Sequence, residues 1–377
     1  MTESRNDIID ILKGIAIILV VYGHVIQRTM VLAGADFFLN PVFKVIYTFH
    51  MPVFFFISGY LMAGTLSRRS LTEAFRSKCK TLLVPFIAWG ILGVFTIYLL
   101  SVIDGKAAGI THLPDNFLND LLSTPAVSVW FLFTLFISSC LLLYSVRWAR
   151  RFGVAGFLLV YLLIAMIPFN GYGTLYYIKW FYLFYLAGYF FSKSRFTITS
   201  KAIRGAILIV SLAIFITLVP FWNKNDYIYI NKMGFMSHDY FYEFLRIAYR
   251  YVLGFLGIII VYYAGAYLAK TKLRFPLSYI GIYSLDIYLV QRYIVEGLYP
   301  RIASKMRLNF DFNSPVFLGC FAPLAAIFFV GVCLLASRLL IRRSPLLCRL
   351  LLGNRIWRDK GNVLFTKCVC ISRGNHE

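Results

Sequence analysis

Apolar runs of about twenty residues, separated by short polar connections, recur along the whole chain, and each is long enough for a helix to cross the hydrocarbon core of a bilayer. Ten are predicted, over residues 8–27, 41–63, 81–102, 127–146, 152–168, 175–191, 203–222, 244–269, 279–299 and 315–340. The fifth and sixth are short, which fits tilted or re-entrant segments. The first is too long and too charged for a cleaved signal peptide, and no small-residue cleavage site follows it, so it is read as a permanent span. The expected fold is an all-α polytopic membrane bundle over residues 1–342, followed by a basic cytoplasmic tail over 343–377.

Composition agrees with this pattern. The 377 residues are 60% hydrophobic and only 14% charged, with a mean hydropathy of +0.74, which excludes an ordinary soluble domain. The net charge of +22 raises the question of nucleic acid. Its distribution argues against that, because the basic residues sit in loops alternating between the two sides of the spans. With the N-terminus inside, the cytoplasmic connections hold 16 Lys and Arg and the outer ones 7, and eight more follow from Arg342 onward. That bias fits ten spans with both ends inside. The outer loops, about 103–126 and 223–243, carry aromatic residues beside Asp and Asn, a composition shared by interfacial aromatic belts and by sugar-binding surfaces. The seven cysteines show no framework spacing, and Cys368-x-Cys370 without further partners is a weak metal signal, so no metal is expected.

The first two spans carry the candidate chemistry. An ionisable group in hydrocarbon costs about 2.5 kcal/mol or more, so such groups face a cavity or a partner. Lys13 and His24 are eleven residues apart, which at about 100° per residue leaves them about 20° from the same face and roughly 16 Å apart along the axis. Asp10 lies one turn before Lys13 and pairs with it. The pair is either a packing device or a contact for an anionic or thioester-bearing ligand. His24, near the outer end, is suited to act as a general base or as an acyl-carrying nucleophile, and equally to bond a neighbouring carbonyl. In the second span, His50 precedes Met51 and Pro52, where a proline kink opens a polar pocket beside the imidazole or the ring is a plain core histidine. Ser58 and Gly59 permit close helix approach. The cytoplasmic segment from Ser67 to Lys80 holds Arg68, Arg69, Arg76, Lys78 and Lys80, which suit cofactor phosphates or anionic lipid. Arg246 and Arg250 share a face of the eighth span, and Arg292 and Glu296 are expected to pair within the ninth.

Asp10 to Ala16 with Lys13-x10-His24 resembles the Arg/Lys-x10-His signature of the acyltransferase-3 family of integral membrane proteins, and Phe49 to Tyr60 resembles that family's next motif. Weaker matches are Val129-Trp130-Phe131-Leu132, Phe184 to Tyr189 and Tyr283 to Leu289. The resemblance implies about ten spans and transfer of an acyl group, usually acetyl, from cytoplasmic acyl-coenzyme A to a hydroxyl of a glycan or lipid-linked sugar. It assigns His24 as the essential histidine and Lys13 as its basic partner. The basic cytoplasmic segment would hold acetyl-CoA, and His50, Ser58, Trp130, Arg246 and Arg250 would line an acceptor pocket. Gln291 stands where many relatives have histidine, so no catalytic part is assigned to it. Without a fused hydrolase-like domain, the membrane domain is expected to act alone, in a bacterial inner membrane. The competing class is a transporter or flippase of a lipid-linked glycan, which predicts broken helices in two related halves; no such symmetry is visible. Oligomeric state is not legible.

Overall fold

The computed structural model describes residues 7–103, 129–166, 175–194, 200–228, 240–304, 311–312 and 314–353, and among them every regular element is helical. Helix α1 spans Asp7–Leu32 and α2 Pro41–Leu66. Pro41 at the first helical position and an Asn40 cap, whose side chain accepts from Phe43 N–H at 3.0 Å, start α2, as expected of groups that satisfy or lack the orphan donors of a helix end. A Ser70/Glu73 capping box opens α3 (Leu71–Lys78), which continues through a π turn (Cys79–Leu83) into α4 (Val84–Ile103). Then come α5 (Trp130–Phe152), α6 (Ala155–Met166), α7 (Tyr176–Lys193), α8 (Lys201–Leu218) and α9 (Tyr240–Leu268). The ninth predicted run is broken into α10 (Arg274–Ile282), α11 (Ser284–Gln291), a π stretch (Arg292–Leu298) and α12 (Tyr299–Ala303). Finally α13 (Ala322–Ala336), flanked by π turns, leads to α14 (Pro345–Leu352).

Each of the ten predicted runs falls on helix, and seven helices among the described residues are long and apolar enough to cross a membrane. The chain is thus an all-α polytopic membrane bundle. The three others fall short for identifiable reasons. Helix α6 has 12 residues, α7 is rich in Tyr and Trp, and the α10–α12 run is interrupted and carries Asp286, Arg292 and Glu296. The outermost helix, α8, turns Ile209, Val210 and Ile216 outward, as a lipid-facing surface requires. Most of the loops 103–126 and 223–243, and Cys368 and Cys370, lie outside the described residues.

Two glycine crossings set the centre of the bundle. Helices α2 and α7 pack more extensively than any other pair, and a Cβ at Gly59 would run into the Tyr185 carbonyl while one at Gly188 would run into that of Phe56. In the same way α1 meets α10 at Gly14 and Gly281. With no hydrophobic drive between helices in lipid, such close backbone approach is what packing energy depends on. A buried ion pair ties on the C-terminal helices: Arg342 donates to both oxygens of Asp286, at 2.7 and 3.0 Å, and Ser337 Oγ donates at 2.6 Å. Helix α14 packs on α4, where Trp89 Nε1 donates to the Leu351 carbonyl at 2.9 Å. Part of the segment expected to be a tail therefore packs into the bundle, and residues 354–377 lie outside the described set.

Candidate active site

Helix α1 presents its two candidate groups to two cavities. Near its start, Lys13 Nζ lies 2.6 Å from Asp10 Oδ1, the pairing that three-residue spacing predicts. Lys13 lines a cavity of about 100 Å³ with Ser58, Leu82 and Ser284. Near its other end, His24 lines a larger one of about 250 Å³ with Arg28, His50, Trp130, Gln291, Arg292 and Glu296. Met51 and Tyr288 line both. The single polar stripe expected from Lys13 to His24 is thus divided, because these two side chains, from α2 and α11, form a common wall.

Glu296 organises the His24 chamber. His24 Nε2 faces Glu296 Oε1 at 3.8 Å. The carboxylate is held by Arg28, donating to Oε2 at 3.0 Å, and by Gln291 Nε2, donating to Oε1 at 3.2 Å. The Arg292–Glu296 pairing expected from a four-residue step is not formed; in its place Glu296 meets Gln291, five residues earlier. The backbone there is π-helical, and π-helical turns align residues five apart. Gln291 thereby enters the site from which its departure from the family pattern had removed it. Arg28, counted in an outer loop, sits within α1, which runs to Leu32 and gains a bond between Thr29 Oγ1 and the Tyr299 hydroxyl at 2.6 Å.

Five buried side-chain polar atoms lack a hydrogen-bond partner among the described residues, and four of them belong to this chamber: His24 Nδ1, Arg28 Nε, Gln291 Oε1 and Arg292 NH2. Buried polar groups are normally satisfied by protein or by water, so their concentration here makes this chamber a polar space with room for hydrogen-bonding guests. His24 Nε2 thus faces the carboxylate without a hydrogen bond, and Nδ1 is the ring nitrogen left without a partner among the described residues. His50 Nδ1 lies 2.7 Å from the Ile46 carbonyl of its own helix, which assigns the proton to Nδ1 and leaves Nε2 as an acceptor.

The other predicted residues are dispersed. Ser58 is in the Lys13 cavity and Trp130 in the His24 chamber. Asp10, 4% exposed, lines neither. Arg250 lines a third, small cavity beside the chamber, whereas Arg246 lies outside the cavities and donates to Asp226 at 3.0 Å. Arg68, Arg69, Arg76 and Lys80 are exposed and Lys78 half-buried on the α3 segment. They touch neither cavity, although Leu82, from the π turn that continues this segment, lines the one at Lys13. Among the described residues no group of three His, Cys, Asp or Glu is placed to hold a metal. Sequence reasoning missed Arg28, Gln291 and Tyr47 as lining residues, with only the density of polar residues near Gln291 as a signal; Tyr227 was signalled as one of the outer-loop aromatics suited to a sugar face or an interfacial belt.

Two curated relatives are similar in sequence. The nodulation protein NolL of Mesorhizobium japonicum is 31% identical over 243 residues, 63% of this chain and 61% of that protein. The NolL of Sinorhizobium fredii is 27% identical over 240 residues, 63% of this chain and 62% of its own. The chain thus spans about three fifths of the length of these relatives. No solved structure matches it. The acyltransferase domain model matches residues 6–347, nearly all of the bundle described above, and the chain therefore belongs to the acyltransferase-3 family.

Proposed function

We propose that this protein is a membrane O-acyltransferase that moves an acetyl or similar acyl group from acyl-coenzyme A on the cytoplasmic side to a hydroxyl of a surface polysaccharide or its lipid-linked precursor, in a bacterial inner membrane. The observation that carries this reading is the His24–Glu296 pair at 3.8 Å in a polar chamber, separated by Met51 and Tyr288 from a second cavity at Lys13.

The basic α3 segment suits the nucleotide phosphates of the donor. Lys13 lies on the donor side, roughly 16 Å from His24 along α1, and the pantetheine arm reaches the chamber only when the Met51 and Tyr288 side chains between the two cavities swing aside. In the chamber, His24 Nδ1 takes the proton of the acceptor hydroxyl as its oxygen bonds to the thioester carbonyl carbon; the C–S bond breaks, and the thiolate leaving group recovers the proton from His24. Glu296 stabilises the transient imidazolium. An acyl-histidine route uses the same atom as nucleophile.

The test is incubation of the purified protein, in a bilayer, with radiolabelled acetyl-coenzyme A and envelope glycans. Label transfer that disappears in His24→Ala, with normal expression and insertion, is the expected result. Transfer at the wild-type rate by His24→Ala refutes the role of the histidine, and glycan movement without label transfer identifies a transporter instead.

A further inference from the structure

Beside the His24 chamber lies a smaller cavity of about 30 Å³, and Tyr47, His50 and Tyr227 line both. Its volume is about that of two water probes, enough for one small charged group but not for a sugar ring. Arg250 lines it, 6% exposed, with its guanidinium 4.7 Å from the centre of the Trp180 ring. Among the described residues, Arg250 makes no hydrogen bond and no carboxylate lies within ion-pair distance of it. Asp226 lines the same cavity, yet both its oxygens are engaged: Oδ1 accepts from Arg246 at 3.0 Å and Oδ2 from the Asn223 backbone N–H at 3.0 Å.

The charges around the two spaces do not balance. Among the described residues, Arg28, Arg250 and Arg292, with Arg246 just outside the lining, face only Asp226 and Glu296. A buried cation is retained at a large desolvation cost unless something pairs with it. An arginine planted on an aromatic face, with its donors unspent, is suited to a carboxylate or phosphate, which its planar fork binds in two-pronged fashion.

We propose that Arg250 anchors an anionic group of the acceptor, so that the acceptor is an acidic or phosphate-bearing sugar whose neighbouring hydroxyl is presented to His24. The identification of this ligand as the acceptor rests on the acyl-transfer reading. The donor's phosphates are not assigned here, because on the acyl-transfer reading they suit the α3 segment, no residue of which lines either space.

Binding is tested on the full-length protein in nanodiscs by tryptophan fluorescence, with glucuronate, glucose 1-phosphate and glucose as probes. An anionic sugar is expected to bind at least about 30-fold more tightly than glucose, and Arg250→Gln to lose that preference, the fold-change that removing one member of a buried charged contact produces. Arg250→Lys should restore part of it, and the exposed Arg343→Gln should leave it unchanged. Preference for glucuronate alone assigns a sugar carboxylate, for glucose 1-phosphate alone a phosphate linkage, and for both the shared anionic class. Equal binding of all three probes, no binding, or undiminished preference in a folded Arg250→Gln overturns the subsite. Label transfer from acetyl-coenzyme A is scored in the same preparations. Arg250-dependent anion binding without transfer refutes the acyl-transfer reading alone, whereas transfer with Arg250-independent binding refutes the subsite alone.

Discussion

Replacing Glu296 by glutamine keeps the side chain's size and one acceptor oxygen but removes the charge facing His24 Nε2 at 3.8 Å. In the proposed step His24 takes up a proton, so the carboxylate interacts more strongly with the transition state than with the ground state, which is the condition for an effect on kcat. Two unit charges at that separation attract by about 4 kcal/mol at an effective dielectric constant of about 20. The side chains are 22% and 24% exposed, and halving the attraction for that solvent access leaves about 2 kcal/mol. At tenfold per ~1.4 kcal/mol, the expected loss in kcat is about 30-fold. The measurement is the initial rate of label transfer across a range of acetyl-coenzyme A concentrations by nanodisc-embedded protein. The donor KM should move by less than about threefold, because Glu296 is not on the donor's route. Monodispersity and the melting temperature establish that the variant is folded. A folded Glu296→Gln protein whose kcat stays within about threefold of wild type refutes the assignment of Glu296 as the group that orients and charges the imidazole.

Three further outcomes follow from packing and charge. Arg342→Gln strands Asp286, which is 2% exposed, and should destabilise the bundle by about 3–5 kcal/mol; the exposed Arg343→Gln should change the melting temperature in detergent very little, and equal shifts would refute the structural role of the pair. Gly188→Val drives side-chain atoms into the Phe56 carbonyl at the α2–α7 crossing, with an expected cost of about 3 kcal/mol or more, read as loss of monodisperse protein on size exclusion; a stable variant would mean that the two helices can separate. Neutralising Arg68, Arg69 and Arg76 together should raise the KM for acetyl-coenzyme A and flatten its salt dependence, with kcat retained; an unchanged KM returns these residues to lipid anchoring.

The spans and the Asp10–Lys13 pair were legible because both follow from a single helical period. The two motifs around His24 and Phe49 were legible as a pattern of residue types, as was the close approach allowed by Gly59. What escaped was whatever depends on departure from that period. Arg292 and Glu296 looked like partners on an α-helix, and the π register turns Glu296 to Gln291 instead. Arg28 looked like a loop cation because its counter-charge lies 268 residues away in sequence. Ser58 and Trp130 seemed to belong to one pocket, yet they line different cavities that share Met51 and Tyr288, a separation set by the packing of several helices and not by any one helical period. The packing of Leu352 and Cys348 into the bundle was hidden by the basic residues around them.

That wall also bears on what the two spaces can exchange. One thioether and one phenol ring are the lining they have in common, so trimming either side chain would merge two small rooms into one long one.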